Sequence, residues 1–128
     1  MPDGTLSGTL RGGVDCNNFS GVAVDTPTPA IQTEQWHHVA LVVDRAADIL
    51  RLFVDGELAA ETVNTVTGPA DLGAARIGAS FDGSHKLTGM VDELRIAQVA
   101  RSADWIDAEH ANLAGTLVQL GTVEQQPR

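Results

Sequence analysis

The stretch WHHVALVVDRAADILRLFVDGELAAE, residues 36–61, decides the fold. Its residues 39–43 (VALVV) are an unbroken apolar, valine-rich run, which is typical of a strand covered on both faces. Residues 44–48 (DRAAD) are a polar break that is long enough for a hairpin loop. Residues 49–54 (ILRLFV) then predict a second strand, which returns antiparallel to the first.

A second hairpin is marked by Asp55-Gly56, because a type I′ turn needs positive φ at both of its central residues. Residues 57–63 (ELAAETV) predict the third strand. Strand periodicity sends alternate residues of the middle strand to opposite faces, with Leu50, Leu52 and Val54 on one and Ile49, Arg51 and Phe53 on the other. The stretch therefore predicts an antiparallel meander that serves as scaffold and carries no nucleophile–base arrangement.

Further strands are predicted on both sides of the meander, and they set the fold class. They lie at residues 3–15 (a glycine-rich, hairpin-like region), 19–25, 74–80, 87–97 and, as a last candidate, 116–123. A short helix is predicted at residues 103–112, with Ser102 as its N-cap, Asp104 in its first turn and Gly115 after its end. Many short strands with one terminal helix predict an all-β, antiparallel β-sandwich of the jelly-roll type.

Length and charge narrow the class of protein. The chain has 128 residues, which predicts one domain over residues 1–123, followed by a loose tail at 124–128. Its formal net charge of −9 argues against nucleic acid and against anionic membrane surfaces, because both attract clustered Lys and Arg. No apolar run reaches the ~18 residues of a membrane span, and the first residues lack the pattern of a signal peptide. Cys16 is the single cysteine, so no disulfide is expected within the chain.

The order of several motifs resembles a known family. WHHVALVVD, LRLFVDGELAAE, ARIGAS, LTGMVDELRIA and RSADWI follow one another as in laminin G-like domains of the concanavalin A-like jelly-roll superfamily. More narrowly, the chain is similar to the bacterial and archaeal versions found in large secreted or surface proteins, and this resemblance implies an extracellular or cell-surface location. Such domains usually have more strands before the tryptophan that matches Trp36. We therefore expect either a fragment or a minimal version of the domain.

A jelly roll that is short of strands leaves unpaired edges, and unpaired edges pair with other chains. We therefore expect a homodimer that forms through exposed strand edges.

Asp92 is the candidate metal ligand. Strand alternation over residues 87–97 places Met90, Asp92, Leu94 and Ile96 on one face, so a carboxylate stands in an apolar row and needs a partner. Backbone N–H groups, an arginine or a cation would each serve. The resemblance implies Ca²⁺, because an Asp near this strand often helps to hold a structural calcium ion, with other ligands from N-terminal strands. Glu93 and Arg95, on the other face, predict an exposed ion pair.

Ligand-binding candidates are Asp82, Ser84 and His85, in a loop between two predicted strands, because loops at the end of a sandwich carry most binding. A plain turn rich in Asp and Gly is the alternative. Both tryptophans, Trp36 and Trp105, are predicted to be core. The adjacent His37 and His38 are expected to point to opposite faces, one half-buried and one exposed, and not to share a metal.

The superfamily also contains β-glucanases, so a hydrolytic function would require their catalytic carboxylates. Their two carboxylates lie on one strand in a Glu-x-Asp-x-x-Glu or similar pattern, and the chain has no such pattern. The prediction is therefore a non-catalytic module that binds a carbohydrate or protein surface through its loops or a sheet face. The alternative is a structural or assembly module, whose main partner is a copy of itself or a neighbouring domain.

Overall fold

The computed structural model describes residues 4–12, 20–66, 77–79 and 86–116. These residues form five strands and one helix. In chain order the elements are β1 (Ser7–Gly12), β2 (Ser20–Asp25), β3 (Val39–Asp44), β4 (Ile49–Val54), β5 (Glu57–Val63) and α1 (Ala103–Leu113).

The strands build two antiparallel sheets. One sheet has two strands, β1 and β2, and the other has the three strands of the meander in chain order. At the β4–β5 turn, Asp55 has φ 52° and Gly56 has φ 85°, so the predicted pair of positive φ angles is confirmed. The predicted bounds of β4 and β5 are confirmed residue for residue.

The meander is a middle layer with a core on each face. On one face, Leu50 and Leu52 pack against Val24 of the two-stranded sheet. On the other face, Phe53 packs with Val42 and with Ile106 of α1. The split follows the predicted alternation of β4, and a register shift between Leu52 and Phe53 marks an irregularity in the pairing with β5. Two sheets packed face to face with a short C-terminal helix confirm the predicted β-sandwich, consistent with a jelly roll.

Helix α1 begins where the sequence predicts and ends at Leu113, one residue later than predicted. The hydroxyl of Ser102 accepts a hydrogen bond from the backbone N–H of Trp105 at 3.2 Å, which satisfies a donor that the first turn leaves free. After the helix, Gly115 adopts φ 70°, as a residue past a helix end often does. Ile106 is its one buried residue, so α1 docks by a narrow apolar contact.

The strand predicted at residues 87–97 is wrong. These residues form no strand, and Glu93 interrupts the predicted alternation because it adopts the left-handed φ of 53°. Its backbone N–H donates to the Asp92 carboxylate at 2.9 Å, a local bond that competes with strand pairing. Residues 77–79, the described part of the strand predicted at 74–80, form a bend.

Both tryptophans were predicted to be core, and this prediction is also wrong. Trp36 is 64% exposed, because it precedes β3 and lies outside both buried clusters. Trp105 is 39% exposed, because α1 turns its neighbour Ile106 toward the sheet. The guanidinium of Arg101 lies 4.5 Å from the centre of the Trp105 ring, a cation–π contact at the surface.

Candidate functional site

A hydrogen-bonded network holds the residues before β3 to the β4–β5 turn. The Nε2 atom of His37 accepts the backbone N–H of Gln32 at 3.0 Å, so Nδ1 carries the proton of the neutral ring and donates to Asp55 Oδ2 at 2.7 Å. The second oxygen of Asp55 accepts the backbone N–H of His38 at 2.9 Å. Partial burial raises the pKa of Asp55, but the bonds from His37 and His38 outweigh it, and the pKa is lowered overall.

The same network continues to α1 through His38. Its ring stacks on that of His110, with centroids 6.0 Å apart, and its Nε2 lies 3.7 Å from Glu109 Oε2. The Nδ1 atom of His38 is buried and has no hydrogen-bond partner among the described residues. The expected contrast between an exposed and a half-buried histidine is wrong, because the side chains of His37 and His38 are 14% and 15% exposed.

Gly56 allows α1 to approach the turn. A Cβ atom placed on Gly56 would lie 2.9 Å from Asp107 Oδ1, 3.2 Å from Asp107 Cα and 3.1 Å from His110 Nδ1. Such distances are below ordinary van der Waals contact, so a side chain here would push the helix away. The Asp-Gly turn therefore joins two strands and also makes room for the helix. Sequence patterns predicted the first role and missed the second, since nothing local shows which element packs on a turn.

Residues 87–99, called the apolar segment below, are the most exposed apolar part of the described chain. The large apolar side chains on it are each more than half exposed: Leu87 54%, Met90 77%, Val91 53%, Leu94 59%, Ile96 77% and Val99 59%. The apolar segment is therefore a candidate interaction site, because large exposed apolar patches often mark such sites.

Arg95 ties the apolar segment to α1. Its Nη1 donates to Glu109 Oε1 at 2.6 Å and its Nη2 donates to Glu93 Oε2 at 3.1 Å. Glu109 and, to a lesser degree, Glu93 raise the pKa of Arg95. The predicted exposed pair between Glu93 and Arg95 is confirmed, while Glu109 was missed because the sequence does not show that α1 lies beside the segment.

The outer edge of β3 carries backbone groups that point away from the meander. The backbone N–H of Asp55 donates to His38 O at 2.8 Å, which makes this a hydrogen-bonded pair. Such pairs alternate in an antiparallel ladder, so Val39, Leu41 and Val43 direct their N–H and C=O groups outward. No strand in the described ranges pairs with this edge. Val39 and Leu41 are 47% and 42% exposed, so the edge is also apolar.

A shallow cleft of about 490 Å³ lies between the start of α1 and the face of the meander that bears Phe53. Its one carboxylate, Asp44, accepts backbone N–H groups of Ala46 and Ala47 and an Arg51 N–H at 3.3 Å. The bond from Ala47 comes first among the causes that lower the pKa of Asp44. This arrangement stabilises an ionised carboxylate and is unlike a general acid, which needs a raised pKa.

The predicted site residues are distributed over described and undescribed parts of the chain. Asp82, Ser84 and His85 lie outside the described residues, so their binding role stays a prediction. Asp92 is described and exposed, which removes the apolar row that motivated a buried partner. Within the described ranges no three His, Cys, Asp or Glu side chains gather as a metal site. These residues do not supply the six to eight oxygens of a Ca²⁺ ion, and calcium at Asp92 stays an untested prediction.

Comparison with known proteins gives the family. The family model Laminin_G_3, described as the concanavalin A-like lectin/glucanases superfamily, matches residues 4–107. The chain therefore belongs to the laminin G-like domains of this superfamily, as its motifs predicted. No curated protein matches the chain.

A solved structure supports the same fold. It is the 2.1 Å crystal structure of an S-layer domain-containing protein (residues 221–444) from Clostridium thermocellum ATCC 27405. The two chains are 24% identical and superpose with a TM-score of 0.52 over 84% of this chain and 52% of the solved chain. This chain thus spans about half of that structure, and the likeness is one of fold. No helix in the described ranges has the length and apolarity to span a membrane.

Proposed function

We propose that the domain is a non-catalytic binding module whose target is a protein surface. The observation that carries the proposal is the exposure of the apolar segment, where Met90 and Ile96 are each 77% exposed. Apolar patches of this kind favour contact with another protein or with a lipid surface. The net charge of −9 disfavours an anionic membrane, so we assign the segment to a protein partner.

The absence of catalysis is part of the proposal and rests on the family and on the state of the carboxylates. Asp44 and Asp55 accept hydrogen bonds that lower their pKa values, and Glu109 pairs with Arg95 at 2.6 Å. Carboxylates held in this way support structure and are poorly placed to give up a proton.

We place the module in the extracellular space or on a cell surface. The family resemblance supports this location, and so does the likeness to a protein described as containing an S-layer domain. In that location, the exposed apolar segment of this acidic domain would join surface proteins to one another.

A second candidate is recognition of a carbohydrate at Trp36. This indole is 64% exposed beside Gln35, whose Nε2 donates to Gln32 Oε1 at 3.0 Å. An exposed aromatic ring next to amide groups has the chemistry of a sugar-binding platform, with the ring to stack and the amides to hydrogen-bond.

One pair of binding assays separates the candidates. In the first assay, labelled chain is titrated onto immobilised chain, so that the chain itself serves as the protein surface. In the second assay, labelled chain is applied to a glycan array. Leu94→Asp should weaken chain–chain binding by about tenfold, since it removes a leucine side chain that the contact would bury. Gln98→Asp is the matched control, because it adds the same charge to the apolar segment at a polar position, and it should leave binding within about twofold.

Trp36→Ala reports on the carbohydrate candidate. Glycan binding that this substitution abolishes, with no chain–chain binding at any concentration, would replace the protein target by a carbohydrate.

A further inference from the structure

We infer that the protein surface is a second copy of this chain, and that residues 87–97 of each copy add as a strand to the outer edge of β3 of the other. The inference rests on the proposed function and specifies its partner and geometry. The described part of the chain carries both halves of such a contact, namely an exposed apolar segment that pairs with no described strand and a β3 edge that no described strand covers.

The β3 edge is ready to accept a strand. Val39, Leu41 and Val43 direct their backbone N–H and C=O groups away from β4, at the spacing that an added antiparallel strand needs. The side chains of Val39 and Leu41 are nearly half exposed, so an added apolar strand would cover them. Addition of a strand to such an edge is a common mode of peptide recognition.

Charge favours the edge of β3 over that of β5. The middle of the apolar segment is acidic at Asp92 and Glu93, and β5 carries Glu57 and Glu61. Like charges placed opposite each other destabilise a strand pair. Residues 39–43 of β3 have no charged side chain, so the segment can lie there without this repulsion.

The segment is not paired with β3 of its own chain. Arg95 binds Glu109 at 2.6 Å and holds the segment beside α1. No hydrogen bond in the described ranges joins residues 87–97 to residues 39–44. The edge that the segment joins in this inference is therefore the edge of β3 in a second copy.

The size of the contact fits a weak dimer. The exposed parts of the six apolar side chains on the segment, together with Trp36, Val39 and Leu41, amount to roughly 500 Å² of apolar surface per chain. A reciprocal pair buries about twice that area, which is the size of a weak, reversible interface. Because each copy gives a segment and accepts one, the contact closes on a two-fold axis and ends at a dimer.

Glu93 gives the inference a conformational test. In the free chain it has φ 53°, a left-handed value that L-residues with a side chain adopt at a cost. An added strand needs an extended backbone at this position. Association must therefore convert Glu93 from the left-handed to the extended region, and the residue type at position 93 sets the balance.

The experiment compares two variants that remove the same charge. Glu93→Val disfavours the left-handed form and should tighten dimerisation by about fivefold, while Glu93→Gly favours that form and should weaken dimerisation by a similar factor. Sedimentation equilibrium measures both. Equal dimerisation constants for the two variants would overturn strand addition at this position.

Cross-linking tests the register. In a Cys16→Ser background, chains with Leu41→Cys and chains with Leu94→Cys or Ile96→Cys are prepared separately, mixed and oxidised gently. We expect disulfide dimers in the mixtures and none in either chain alone. Dimers that form between two Leu94→Cys chains would reject β3 as the acceptor while keeping the apolar segment as a contact. Absence of all association between chains would overturn the second copy as the partner, whereas glycan binding that Trp36→Ala abolishes would overturn the proposed function itself.

Discussion

Asp55 connects the β4–β5 turn to the residues before β3. It occupies the first central position of the β4–β5 turn with φ 52°, and its carboxylate accepts hydrogen bonds from the ring of His37 and the backbone of His38. The chain before β3 is thereby held to the end of β4. Sequence patterns predicted Asp55 as a turn residue. They did not predict the hydrogen bonds of its carboxylate, because the partners come close only after the hairpin forms.

Asp55→Asn should lower the free energy of unfolding at neutral pH by about 1–2 kcal/mol, because a charged hydrogen-bond acceptor is lost from a partly exposed site. The backbone of the turn should not change, since asparagine also tolerates a positive φ. The pKa of Asp55 is lowered from its ordinary 3.8 in the folded chain. Its contribution is therefore complete above the unfolded value and is lost as pH falls through the folded value. Urea unfolding between pH 7 and about pH 2 should show the variant and the parent converging in acid. A difference that stays constant over this range would contradict the role given to the carboxylate.

Gly56→Ala tests the close approach of α1 to the turn. Gly56 has φ +85° and Asp107 Oδ1 lies 2.9 Å from the position of an added Cβ. We expect a loss of about 2–3 kcal/mol in thermal or urea unfolding, from backbone strain together with the displaced helix. Gly115→Ala is the matched control, because Gly115 has φ +70° and nothing within 4 Å of the added Cβ. Equal losses in the two variants would show that α1 does not rest on Gly56.

Elements that depend on local signals were predictable from the sequence. β4 and β5 follow from alternation and from the Asp-Gly turn between them, and α1 follows from its Ser102 cap. Residues 87–97 alternate equally well but form no strand, because a strand needs a neighbour that the sequence does not identify. Without such a neighbour, the Glu93 N–H donates to the Asp92 carboxylate and not to a strand. The prediction that Trp36 is buried was wrong for a related reason, since the sequence does not show which element covers a side chain.

Substitutions of two isoleucines distinguish residues that stabilise the fold from residues that contact a partner. Ile106 is 3% exposed and docks α1 on Phe53, while Ile96 is 77% exposed on the apolar segment. Ile106→Ala should cost about 3 kcal/mol of unfolding free energy, because it leaves a cavity under the helix. Ile96→Ala should change unfolding of the dilute chain by less than about 0.5 kcal/mol and weaken dimerisation. Denaturant unfolding and sedimentation on both variants give the comparison, and a large loss of stability in Ile96→Ala would place this side chain in the core.

At the scale of the whole molecule, the described chain is a laminin G-like sandwich that exposes many large apolar side chains. Its two clusters bury both faces of β4, but within the described ranges no strand pairs with the edge of β3, and the large apolar side chains of the apolar segment are exposed. Fold class and family followed from the sequence because they rest on the order of motifs along the chain. The sequence also predicts a dimer through exposed strand edges, which stays a prediction, but it does not identify the edge, because that depends on which strand lacks a partner after folding.

The measurement that tests the central claim most directly is sedimentation equilibrium of the full chain over about 1 to 100 µM, a range in which a weak dimer dissociates on dilution. We predict an average mass that rises with concentration from 13.4 kDa toward that of two chains, and a Leu94→Asp variant that stays lower throughout. A mass that remains at 13.4 kDa over the whole range would contradict assembly through the apolar segment.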